Sequence, residues 1–105
     1  MSNQDQDLLL RQLADSFITI ANDHAENHDK NIVNTAFMYA ASRFSAYVAA
    51  SSARNVEDFI GKQKQGIDFF TGEFQNMLES NMKNYEKIFQ PTEELKYAEF
   101  MKKDS

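Results

Sequence analysis

No cysteine occurs anywhere in the 105 residues, which excludes a disulfide framework, a thiolate metal site and a cysteine nucleophile. Glycine and proline are scarce, at three and one. That is too few for the turns of an all-β fold, whereas the abundant Ala, Leu, Met, Gln, Glu and Lys favour helix. Positive charge is in deficit: eleven Lys and Arg, scattered along the chain, face sixteen Asp and Glu for a net charge of -5 and a pI near 4.9. Gripping a phosphate backbone needs concentrated cations that release counterions, so no nucleic-acid partner is expected. Long apolar runs are missing as well. The longest, Ala36-Phe37-Met38-Tyr39-Ala40-Ala41, is far short of the ~20 residues that cross a bilayer, and no membrane partner is expected. The stretch Met1-Ser2-Asn3-Gln4-Asp5-Gln6-Asp7 has neither the basic start nor the apolar core of a secretory leader, which predicts a cytoplasmic location.

What is present is helical periodicity. Leu10, Leu13, Phe17, Ile20 and His24 recur at steps of three and four, predicting a first helix over about residues 4–26 with Asp5 and Asp7 near its positive end. The wholly polar stretch Glu26-Asn27-His28-Asp29-Lys30-Asn31 reads as a short turn with capping side chains, leading into an antiparallel second helix. There Val33, Phe37, Ala40, Phe44 and Tyr47 form an aromatic stripe, and the small residues Ala36, Ala40, Ala46, Ala50 and Ala53 permit close approach of another helix. The pattern predicts a helix buried on more than one side. Asn55 is the expected cap of a third helix that opens with Glu57 and Asp58, follows a stripe through Ile60, Ile67, Phe70, Phe74, Met77 and Asn81, and stops before Pro91. Gly61, Gly66 and Gly72 make its early part the weakest, yet one continuous helix over residues 56–89 is the expectation. After Pro91, Leu95, Ala98 and Met101 fit one side of a short fourth helix ending in Lys102 and Lys103, or a frayed tail. The fold class is therefore all-α: an up-and-down three-helix bundle over residues 1–90, with a long third helix and a short C-terminal helix or flexible tail over 91–105.

Two strings are more than a pattern. Gln12-Leu13-Ala14-Asp15-Ser16-Phe17-Ile18 and Ala36-Phe37-Met38-Tyr39-Ala40-Ala41-Ser42-Arg43-Phe44-Ser45-Ala46-Tyr47-Val48, with Ile67-Asp68-Phe69-Phe70-Thr71 later, resemble a small proteobacterial family of uncharacterised domains. The resemblance runs from about Asp7 to Tyr85. It implies a short, cytoplasmic, helical bacterial protein without a fused partner domain, and it carries no activity, ligand or catalytic residue.

Four groups of residues invite a chemical reading. His24 and His28, four apart and flanked by Asp23 and Asp29, could share a helical face and bind Zn, Ni or Cu. Glu26 stands at the wrong spacing for the general base of a zincin, and solvated helix-end residues are the favoured account of the cluster. Gly61-Lys62-Gln63-Lys64-Gln65-Gly66 has the glycine spacing of a phosphate loop, but Ile67-Asp68 occupy the positions of its lysine and hydroxyl. Arg43 interrupts the second helix between Tyr39 and Tyr47. It reads as a buried salt bridge to Asp15 or Asp68 that fixes helix register, or as an anion or small-ligand pocket framed by the two tyrosines. No serine, acid or base assembles into a catalytic motif, so no enzyme activity and no cofactor are expected. The fourth group is the surplus of nine Phe and four Tyr, including Phe59, Phe69, Phe89, Tyr97 and Phe100. One overhanging helix and its tail cannot bury them all, and an uncovered apolar face usually meets a second copy. The expected interface is Phe70, Phe74, Met77, Leu78, Met82 and Tyr85 in a homo-oligomer, the dimer favoured, with an unidentified protein partner or a metal or small-anion ligand as the alternatives.

Overall fold

The structure, a computed structural model, describes residues 2–89. Pro91, the predicted fourth helix or tail, Tyr97 and Phe100 lie outside the described residues. Among the described residues there are three α-helices and no strand: α1 (Asn3–Ala25), α2 (Lys30–Ser51) and α3 (Val56–Phe89). The chain is all-α, consistent with a helical bundle. It divides into two units, Met1–Ser52 with α1 and α2 and Ala53–Ser105 with α3.

Local chemistry sets each helix start. The Ser2 hydroxyl accepts the Asp5 N–H at 3.1 Å and begins α1. Asp29 Oδ1 accepts the Asn31 N–H at 2.7 Å and begins α2, so the predicted polar turn supplies its own cap. Asn55 Oδ1 accepts the Asp58 N–H at 2.8 Å, and the Asp58 carboxylate reaches back to the Arg54 N–H at 2.9 Å. The two side chains thus satisfy donors at the α3 start reciprocally, a variant of the capping box. From there α3 runs 34 residues without interruption, about 50 Å at 1.5 Å per residue. None of its three glycines adopts a positive φ.

Within the first unit α1 and α2 form a hairpin around the turn at residues 26–29. Half-buried Ala21, Val33 and Phe37 lie within a few turns of that connection, while Leu10, Leu13, Phe44 and Tyr47 farther along are exposed. The two helices cover each other only near the turn. The expected burial of α2 on more than one side is therefore corrected: only Val33, Phe37, Ser45 and Ala49 are half-buried in it. One neighbouring helix can cover one stripe, and α2 has one neighbour in its unit. Indeed no described residue is fully buried, and most of the large apolar side chains of all three helices lie open.

Candidate functional site

The open apolar surface takes two forms. At the closed end of the hairpin, Phe17, Ile20 and Ala21 of α1 face Ile32, Phe37 and Ala40 of α2 across an apolar furrow of about 480 Å³. The furrow follows from the convergence of the two predicted stripes on one short turn, and His24 and His28 form its polar rim. Their ring centroids lie 6.4 Å apart and tilted by 46°. The structure brings the two predicted metal ligands side by side, but no third donor converges on them. Asp29 is occupied as the α2 cap, and among the described residues no group of three or more His, Asp or Glu could hold a metal ion.

On α2 the predicted trio separates. The Arg43 guanidinium lies 5.8 Å from the Tyr39 ring centroid, within cation–π range, whereas Tyr47 pairs with Phe44 at 5.7 Å. Arg43 is exposed, which corrects its reading as a buried, salt-bridged arginine. A hydrated guanidinium carries no desolvation cost and needs no carboxylate to offset one. Asp68, one of its two proposed partners, is engaged by Lys64 at 2.8 Å. The glycine-spaced segment at residues 61–66 lies inside α3, where helix formation commits its N–H groups and leaves no phosphate cradle.

The second open surface is α3 itself. At about 100° per residue, the large apolar side chains between residues 56 and 88, Phe69 apart, fall within about 80° to either side of the Phe74 direction. Nine of them are 41–66% exposed, including Phe74, Met77, Leu78, Met82 and Tyr85 of the predicted interface. Phe70, the sixth, is half-buried and meets the Phe69 ring edge-on at 5.5 Å. Along the midline of the stripe only Gln63 and Asn81 are polar. The flanks and back of α3 are laced by i,i+4 contacts, Lys62–Asp58 at 3.2 Å, Lys64–Asp68 at 2.8 Å and Gln75–Glu79 at 3.0 Å, which mark them as the polar side of the helix.

The α3 face was legible in the sequence, but the hairpin furrow was not. Its signal was the shared endpoint of the two apolar stripes at the 26–29 turn. No described helix is long and apolar enough to cross a membrane. Over residues 10–86 the chain matches the family described as "Protein of unknown function (DUF3144)". No curated protein and no solved structure matches it.

Proposed function

The chain belongs to the DUF3144 family, and we propose that it works as a non-enzymatic interaction or regulatory module that self-associates through α3. Phe70, Phe74, Met77, Leu78, Met82 and Tyr85 supply the contact, the homodimer is the favoured assembly, and the cytoplasm is its location. The observation that supports this reading is the uncovered apolar stripe of α3. An aromatic or large aliphatic side chain exposed to that degree leaves about 100 Å² open, so nine from each copy would remove roughly 1,800 Å² from water, against the roughly 1,200–2,000 Å² of a stable interface. The excess of acidic over basic residues supports a partner that is neither nucleic acid nor an anionic membrane surface.

The test is light scattering with in-line size exclusion on the purified chain, repeated with EDTA and with Zn²⁺. A metal-independent dimer at micromolar concentration is expected. Phe74→Asp, which would place a charge inside the contact, should weaken it on the order of a hundredfold while helix content by circular dichroism is retained. A monomer at millimolar concentration removes the reading. Assembly only with Zn²⁺ would transfer it to the second reading, a metal-binding protein, which the side-by-side His24 and His28 rings at the furrow rim support.

A further inference from the structure

The midline of α3 departs from an apolar stripe at Gln63 and Asn81, and their placement is informative. They stand eighteen residues apart, five full turns at 3.6 residues per turn, so both point in the same direction along the helix. Their midpoint is Gly72, which is also the middle of the helix Val56–Phe89. We propose that two copies of this chain pair through α3 in antiparallel orientation about a two-fold axis at Gly72, so that Gln63 of each copy faces Asn81 of the other. The inference rests on the self-association reading and adds its orientation and register.

Several features converge on this one register. It overlaps the two helices over nearly their whole length, which buries the most apolar surface. It sets Phe70 opposite Phe74, Ile67 opposite Met77 and Val56 opposite Ile88, so the remaining midline layers are apolar against apolar. It gives each midline amide an amide partner, and an unpaired amide in such a contact is costly. Slipping by one heptad would set Asn81 against Phe70 or Val56 and leave it unpaired. A parallel pair would also match each amide, with itself, but it gathers the acidic first turns of both helices at one end. The antiparallel pair instead lays the first turn with Glu57 and Asp58 beside the partner's last turn with Lys87, and it opposes the two helix dipoles. Its like-charge approaches, Glu73 across the axis and Asp58 level with Glu86 of the other copy, lie off the midline, where screening keeps the cost small, and Asp58 is already paired with Lys62.

The absence of cysteine makes the test direct. Gln63→Cys and Asn81→Cys are purified separately and oxidised alone and as an equimolar mixture, with light scattering under reducing conditions recording the assembly state of each. The expected result is a disulfide-linked dimer in the mixture and none in either single variant. Residues 63 and 81 of one helix are about 27 Å apart, so an intramolecular bond cannot account for it. If either variant cross-links with itself, the pairing is parallel or is antiparallel about another residue; the register is overturned and self-association stands. If the reduced variants and the parent chain are dimers but no mixture cross-links, the contact lies elsewhere and the proposal is overturned. If the parent chain is a monomer, the proposal and the reading beneath it fall together.

Discussion

Asp58 shows how much a single side chain does at a helix start. Its carboxylate accepts from the Arg54 backbone N–H at 2.9 Å and from Lys62 Nζ at 3.2 Å, with Arg54 Nε at 3.7 Å, and only 11% of the side chain is exposed. The backbone hydrogen bond from Arg54, then that from Lys62, holds its pKa below the ordinary 3.8. A carboxylate depressed in the folded state stabilises it fully above its unfolded pKa, and that contribution is lost as pH falls through the lower folded value. A carbon-13 carboxyl titration should therefore place the Asp58 midpoint below 3.8, and a midpoint at or above that value would contradict the geometry. Asn55 as the cap of α3 was legible because capping is settled by residues three apart in sequence. The surroundings of Arg43 were not legible. Whether an arginine on an aromatic helix is covered or hydrated depends on how many helices reach it, and Tyr39 on its own helix meets it where a remote carboxylate was expected.

At the scale of an element, α3 invites the question of how three glycines persist in one helix. Each costs about 1 kcal/mol against alanine, but a helix of this length propagates through isolated weak residues once nucleated. A Cβ added at Gly61, Gly66 or Gly72 meets nothing within 4 Å. Gly61 and Gly72 also lie on the side away from the apolar stripe, so alanine there should leave the proposed contact intact. Gly61→Ala and Gly72→Ala are each expected to stabilise the helix by about 1 kcal/mol, read as a higher urea midpoint by circular dichroism. No gain at either site would mean that the glycine serves a contact the open Cβ positions do not reveal. The bounds of α1 and α3 were readable to within two residues, because stripes, caps and polar turns are written locally. The extent of cover was not, since a stripe records that a face is apolar and not what lies against it.

For the whole molecule, the open apolar faces have a thermodynamic corollary. If the cover comes from a second copy, folding and association are linked and stability depends on how much chain is present. The melting temperature of the parent chain should rise with concentration between about 1 and 100 μM, and Phe74→Asp should flatten that dependence. A melting temperature independent of concentration across this range would separate folding from assembly. The family match over residues 10–86 takes in α2 whole, α1 from Leu10 onward and nearly all of α3.

The turn at residues 26–29 carries a consequence for time. So short a link lets α1 and α2 find each other by local diffusion, and events of this kind finish within microseconds. The joining of two α3 helices is instead a bimolecular encounter whose rate is proportional to concentration. Maturation of the proposed dimer would then have two clocks, a fast one that every copy runs alone and a slow one set by how soon it meets another.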